Sequence, residues 1–225
     1  MNSKIKCVIF DLDGTLVNTI VDLGRACDYL LKNSGIESKW TEDNYKAFVG
    51  NGAKLLVERA FNGQLNPEQL EEQYAAFKIK YNEIKMENAY VYAGMLDVVK
   101  AIKDEGITLA VCTNKPNKAA KGMVEELFGK DVFDAVLGAT DNLPKKPDTA
   151  MADKILSELA LSADECIWIG DSSVDIESAK NLGCKSIAVT WGFRSVESLL
   201  VCAPDYIANS PKEIFDILKK IKNKC

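Results

Sequence analysis

The sequence predicts an α/β protein, a doubly wound parallel sheet of the Rossmannoid kind carrying an inserted all-helical segment. Three observations predict it. Short apolar, β-branched runs recur along the chain, and they are continuous rather than alternating, as in strands covered on both faces. From residue 95 onward these runs alternate with helical stretches. Between residues 17 and 91 only helical stretches occur.

The first strand is expected at Ile5–Phe10, followed much later by Ile107–Cys112, Cys166–Ile169 and Ser186–Val189. Ala135–Leu137 and Tyr206–Ile207 are shorter candidates. In the helical segment the stretches are Asp22–Lys32, Glu42–Phe48, Ala53–Phe61 and Pro67–Ile84. Gly35, Gly50-Asn51-Gly52 and Asn62-Gly63 punctuate them. Later helices are expected at Leu96–Asp104, closed by Gly106, and at Lys118–Leu127, closed near Gly129. Thr149–Leu159, Val174–Leu182 and Pro211–Ile221 complete the set. The division that follows is a core of residues 1–16 and 92–225 and a helical insert of residues 17–91, with joints at Leu16–Asn18 and Tyr90–Gly94.

Composition narrows the function. The chain has 225 residues, 47% hydrophobic and 27% charged, enough for a sizeable soluble core. Its 28 basic and 33 acidic residues leave a net charge of −5, which argues against broad nucleic-acid or anionic-membrane binding. The lysines at 219, 220, 222 and 224 suit a solvated helix end. There is no histidine, which removes Ser-His-Asp and Cys-His catalysis and His-ligated zinc. The seven cysteines, at 7, 27, 112, 166, 184, 202 and 225, form no C-x-x-C and read as free thiols of a reducing compartment. With no leader-like start and no apolar run near the roughly 18 residues of a membrane span, a cytoplasmic protein is expected.

Four motifs sit where strands end. Asp11-Leu12-Asp13-Gly14-Thr15 follows the first strand, and alternation points Asp11 and Asp13 the same way. Two carboxylates at the end of a buried strand need a cation or donors to offset them. Gly14 permits an unusual backbone angle and a close ligand approach to main-chain N–H groups. Thr113-Asn114-Lys115 reads by itself first as a helix N-cap ahead of Pro116, and otherwise as a source of donors for phosphate oxygens. Lys145-Lys146-Pro147-Asp148 is either a solvated loop or the source of a buried neutralising lysine, and charge does not say which lysine. Gly170-Asp171-Ser172-Ser173-Val174-Asp175 ends an apolar strand on Asp171 and opens a helix with Asp175. In an open parallel sheet all four fall on the carboxyl edge, where ligands bind. Such an oxygen-rich cluster without histidine suits Mg²⁺.

With these motifs in this order, the chain resembles the haloacid dehalogenase superfamily over nearly its whole length. The matching residues are Asp11-Leu12-Asp13-Gly14-Thr15-Leu16, Thr113-Asn114, Lys146-Pro147 and Gly170-Asp171 through Asp175. Val49-Gly50-Asn51-Gly52-Ala53, Val57-Glu58-Arg59-Ala60 and Trp191-Gly192-Phe193-Arg194 resemble its phosphoglycolate phosphatase subgroup. Asn18 stands where the family often has Asp, and Ser172 where Thr is common; the second change keeps the hydroxyl.

The resemblance implies a Mg²⁺-dependent phosphomonoester hydrolase working through an aspartyl-phosphate. Asp11 is then the nucleophile and Asp13 the general acid and base. Asp11, Asp13 (through its backbone carbonyl) and Asp171 ligate Mg²⁺, with Asp175 supporting them from behind. Gly14, Thr113, Asn114 and Lys146 hold the transferring phosphate. The helical insert is a cap that chooses the leaving group, with Asn51, Gly52, Lys54 and Arg59 as candidate contacts; the Gly50–Gly52 stretch could also simply join two helices, and Arg59 could pair within the insert. The expected partner is a small phosphorylated metabolite, 2-phosphoglycolate first, with neither nucleic acid nor membrane involved; monomer and homodimer both stay open. Another small ester, pyrophosphate or a sugar phosphomutase reaction fits the same scaffold. A phospho-accepting signalling module is the non-enzyme alternative, against which the 75-residue insert argues, 91 − 17 + 1.

Overall fold

The computed structural model describes residues 5–222; Lys224 and Cys225, named above, lie outside them. The strands are β1 (Cys7–Phe10), β2 (Val17–Asn18), β3 (Tyr90–Val91), β4 (Thr108–Pro116), β5 (Ala135–Ala139), β6 (Cys166–Gly170), β7 (Lys185–Val189) and β8 (Tyr206–Ala208). The helices are α1 (Ile20–Asn33), α2 (Glu42–Phe48), α3 (Ala53–Ala60), α4 (Pro67–Ile84), α5 (Met95–Asp104), α6 (Asn117–Phe128), α7 (Ala150–Leu159), α8 (Ser173–Leu182), α9 (Val196–Val201) and α10 (Pro211–Lys222).

Six strands form one parallel sheet in the order β5-β4-β1-β6-β7-β8. Its strands are apolar throughout because both faces are covered. In β1, Val8 and Phe10 join a cluster with Val98 and Ile102 of α5 and Ile214 and Leu218 of α10. Cys7 and Ile9, pointing the other way, join Met151 and Ile155 of α7 and Ala179 of α8. The result is three layers with β1 at the centre, so whatever follows Phe10 is delivered to the middle of the carboxyl edge. Six cysteines are free thiols among the described residues, and Cys7, Cys27, Cys112 and Cys166 are buried as small core groups.

Helices α1 to α4 build a separate cluster around Leu23, Leu30, Leu56 and Phe77. Their starts are locally encoded. Thr41 and Asn66 each form a reciprocal capping box, with Asn44 and Gln69, and Pro67 occupies the first turn of α4. Asp22 of α1 is fully buried and accepts from Asn88 N, Asn88 Nδ2 and Ala89 N, tying the first helix to the return segment.

Three details differ from the sequence expectation. The segment expected to be purely helical begins and ends in a two-residue antiparallel ribbon, with Val17 opposite Val91 and Asn18 opposite Tyr90. So short a pair leaves no alternation to read. The strand expected to stop at Cys112 runs on to Pro116, because β5 keeps pairing with it across a register shift between Thr113 and Pro116. Gly138 makes this possible: a Cβ there would collide with the Lys115 carbonyl and the Asn117 backbone. Thr113 and Asn114 are therefore strand residues, not a helix cap. Helix α9, unforeseen in the sequence, is a six-residue element capped by Ser195, whose hydroxyl accepts from Ser198 N.

Candidate active site

Asp11 directly follows β1, and its N–H donates to Ile169 O of β6 at 2.9 Å. Its carboxylate faces Lys146, whose Nζ lies 2.9 Å from Asp11 Oδ1 and 2.7 Å from Asp175 Oδ1. Lys146 is held by Asn114: Asn114 Oδ1 accepts from Lys146 N at 2.9 Å, and Asn114 Nδ2 donates to Lys146 O at 3.1 Å. The side-chain amide thus fixes the loop that carries the lysine. Asp175, in the first turn of α8, accepts from Ser172 N and Ser172 Oγ, the latter at 2.6 Å, and from Trp168 Nε1. Asp171 accepts from Thr15 Oγ1 at 3.3 Å and from Phe193 N at 2.7 Å. Gly14, at φ +86°, leaves room for it; a Cβ there would collide with the Asp171 carboxylate.

Asp11, Asp171 and Asp175 present oxygens all within 4.8 Å of one another, and all three are buried. One ammonium, Lys146, stands among three carboxylates. Burial pushes the Asp171 carboxyl up to about 8, and Asp175 and Asp11 add to the rise. Burial likewise raises Asp11 to about 6; Lys146 opposes this and Asp175 reinforces it. For Lys146, burial works against the charge, but Asp11 and Asp175 outweigh it and hold the ammonium above its ordinary range. Asp11 Oδ1 is buried, and its one partner among the described residues is the Lys146 ammonium, which it shares with Asp175. The donor set is hard oxygen and carries excess negative charge. Those two properties fit a divalent cation such as Mg²⁺.

Asp13 has a second network. Thr19 Oγ1 donates to Asp13 Oδ1 at 2.7 Å, and Lys115 Nζ lies 2.9 Å and 3.3 Å from its two oxygens. Lys115 also donates to Tyr81 Oη of α4 at 2.5 Å. Burial works against charge on Lys115, but Asp13 and Tyr81 outweigh it and raise its pKa. Burial pushes Tyr81 up to about 12, so the phenol is neutral near pH 7.

A model of the family described as haloacid dehalogenase-like hydrolases matches residues 8–189, which hold every carboxylate and lysine just described. The chain belongs to the haloacid dehalogenase-like hydrolases. It is 32% identical to a phosphoglycolate phosphatase of Vibrio vulnificus over 96% of each chain. It is 33% identical to one from Chromobacterium violaceum, covering 97% of this chain and 99% of that one. A crystal structure titled as a predicted phosphoglycolate phosphatase, from Haemophilus somnus, superposes with a TM-score of 0.88 at 27% identity, over 96% of this chain and 98% of that one.

In this hydrolase a cavity of about 550 Å³ opens between the carboxyl edge of the sheet and helices α3 and α4. Asp11, Asp13, Thr113, Asn114 and Asp171 line it, as does Gly52 from the helical segment. Lys146 and Asp175 lie behind Asp11. The other three residues expected on the helical side are turned to local structure. Arg59 donates to Phe48 O and shares Asn51 Oδ1, each contact at 3.2 Å or less. Lys54 pairs with Glu71. None of Asn51, Lys54 and Arg59 lines the cavity. The helical side is instead supplied by Tyr81 and Phe77 of α4 and Leu56 of α3. Lys115 was legible as a strand-end lysine beside Thr113-Asn114, whereas Tyr81 carries no local signal and reads as one apolar position of a helix.

Proposed function

We propose that this hydrolase is a Mg²⁺-dependent phosphatase that works through an aspartyl-phosphate, with 2-phosphoglycolate as its preferred substrate. The observation that carries the reading is the buried cluster of Asp11, Asp171 and Asp175 at the carboxyl edge, three carboxylates facing one ammonium, with Asp11 and Asp171 open to the cavity. The relatives from Vibrio vulnificus and Chromobacterium violaceum, both named phosphoglycolate phosphatase, support the choice of substrate.

Asp11 attacks phosphorus, and the bond from phosphorus to the alcohol oxygen breaks. Asp13 gives its proton to the departing oxygen, then takes one from the water that cleaves the aspartyl-phosphate, returning Asp11 and releasing phosphate. Lys146 holds Asp11 in position and offsets charge on the transferring oxygens; the Thr113 hydroxyl and the N–H groups after Asp13 contribute donors. Asp11, Asp171 and the Asp13 carbonyl would hold the ion, with Asp175 steadying Lys146 and the Ser172 turn. When bound, the ion offsets the repulsion between an anionic nucleophile and an anionic ester. Residues 17–91 act as a cap. Asn114 Nδ2 donates to Gly50 O at 3.0 Å and Arg194 to Lys46 O and Val49 O, joining the cap to the core around the cavity. Among the described residues no helix is long and apolar enough to cross a membrane, and a metabolite phosphatase with free thiols belongs in a reducing cytoplasm.

The test is phosphate release from 2-phosphoglycolate, hexose phosphates, nucleoside monophosphates and pyrophosphate, with Mg²⁺ and with chelator. The expected result is the highest kcat/KM for 2-phosphoglycolate and loss of turnover on chelation. A different best substrate refutes the substrate assignment, and metal-independent turnover refutes the role of the ion.

A further inference from the structure

Of the cations lining the cavity, Lys115 alone is buried among the described residues, at 5% exposure. Lys78 and Lys118 sit on the exposed rim, and Arg194 commits its two terminal nitrogens to the carbonyls of Lys46 and Val49. Lys146 is committed to Asp11 and Asp175. Lys115 has a less settled set of partners. It holds Asp13 Oδ1 at 2.9 Å but Asp13 Oδ2 only at 3.3 Å, while Thr19 secures Asp13 Oδ1 independently at 2.7 Å. The longer contact can be exchanged for another anion without releasing Asp13.

Tyr81 prepares that exchange. Its ring stacks on Phe77 with centroids 5.5 Å apart and 10° between planes, which fixes the phenol over Lys115. Lys115 Nζ lies 4.7 Å from the ring centroid and donates to the hydroxyl, so the phenol proton has no acceptor among the described residues. A buried ammonium and a free phenol proton together form a two-donor receptor for a carboxylate. Leu23, Leu56 and Phe77 wall the same cavity, and an ion pair in such surroundings is poorly screened.

Position then selects the ligand. Asp13 is the acid that meets the leaving oxygen, and Lys115 is in direct contact with Asp13. An anion recognised by Lys115 must therefore lie within a bond or two of that oxygen. A carboxylate on the carbon bearing the phosphate satisfies this; one set farther along a chain overshoots. We infer that Lys115, seated by Tyr81, is the specificity determinant of this site and selects phosphate esters of 2-hydroxycarboxylic acids by gripping the carboxylate next to the leaving oxygen. The inference rests on the phosphatase reading above and deepens it.

The test compares 2-phosphoglycolate with its neutral amide, 2-phosphoglycolamide, and with the phosphate of 3-hydroxypropionate, in the Mg²⁺-loaded protein. Wild type is expected to prefer 2-phosphoglycolate over both, by about 10- to 100-fold in kcat/KM, the range of a charge-assisted hydrogen bond. Lys115→Met is expected to abolish the preference over the amide, and Tyr81→Phe, which keeps the ring stack, to reduce it by about threefold to tenfold. Because each variant is read as a ratio between substrates, any shared loss from a disturbed Asp13 cancels. A preference kept intact in both variants overturns this inference alone. If wild type itself shows no preference while Asp11→Asn is inert toward all three esters, the hydrolase reading stands and both the substrate assignment and this inference fall.

Discussion

The main chain of Phe193 and its side chain serve different parts of the protein. Its N–H donates to Asp171 Oδ2 at 2.7 Å, while its ring is buried in the cluster formed by helices α1, α3 and α4. One residue thus joins a carboxylate of the acidic cluster to the packing of the helical segment. Arg194 extends the join by donating to the carbonyls at the end of α2, where the helix dipole is negative.

Phe193→Ala removes the ring and keeps the backbone donor. Emptying so buried an aromatic site should cost about 3 kcal/mol. Urea unfolding checks it; a loss below about 1 kcal/mol would mean that the ring does not anchor the helical segment.

Asp11→Asn keeps the shape of the site and removes the proposed nucleophile. Turnover should fall by at least about 10⁴-fold, as with other nucleophile deletions. Intact-mass measurement during turnover should also show no phosphoryl adduct in the variant. Retained turnover would exclude Asp11 as the attacking group.

Without metal, stability should fall as pH rises, and bound metal should offset that fall. Asp171 titrates near 8 in the folded metal-free protein, far above an unfolded aspartate. Between those values the folded state holds a proton that the unfolded chain has lost. Stability is therefore greatest below the lower value and is lost as pH rises from about 4 to about 8. Thermal melts in chelator should show that fall, and Asp171→Asn should flatten it. Added Mg²⁺ should stabilise more at pH 8 than at pH 5, because it binds the deprotonated cluster.

Lys146→Met leaves Asp11 and Asp175 facing each other without their shared cation. Breaking a buried pair in this way costs about 3–5 kcal/mol. The deficit should shrink on acidification, because Asp11, already raised by burial and by Asp175, loses in this variant the cation that holds it down and takes up its proton more readily. Denaturant melts at two pH values read it; a pH-independent deficit would point to lost packing rather than lost charge.

Arg59→Ala should leave catalysis nearly untouched. The guanidinium serves Phe48 O and Asn51, away from the cavity. Steady-state kinetics should show kcat/KM within about threefold of wild type, less than about 1 kcal/mol of barrier. A larger loss would restore Arg59 as a substrate contact.

The parts of the fold visible in the sequence were those with a strong local pattern. The run Cys7–Phe10 is apolar at every position because α5 and α10 cover one face and α7 and α8 the other, and that pattern needs no partner to be read. Helices α2 and α4 start at Glu42 and Pro67 as expected, and the structure shows those starts capped by Thr41 and Asn66. The ribbon of Val17–Asn18 with Tyr90–Val91 and the extension of β4 were hidden because pairing with a distant segment decides both. The same division holds at the site. Asp11, Asp13, Asp171 and Asp175 follow apolar strands and are conspicuous as charges there. Asn51, Lys54 and Arg59 stand in or beside stretches that resemble the subgroup, but a resemblance does not say which way a loop or a helix turns each side chain. Tyr81 reaches Lys115 from 34 residues away, and only the packing of α4 brings them together.

The place of β1 in the sheet also governs the order in which the chain can acquire its structure. This strand is translated before its neighbours, yet it lies between β4 and β6, pairing Cys7 with Thr108 on one side and with Cys166 on the other. The ribosome has released α1 to α4, whose contacts are local, long before either neighbour exists. Those helices can condense early, whereas β1 must wait until residue 170 has been added before it is flanked on both edges. Until β4 is made this apolar strand has both edges unpaired, and until β6 follows it still has one, so Asp11 acquires its surroundings only when the last of the acidic cluster arrives.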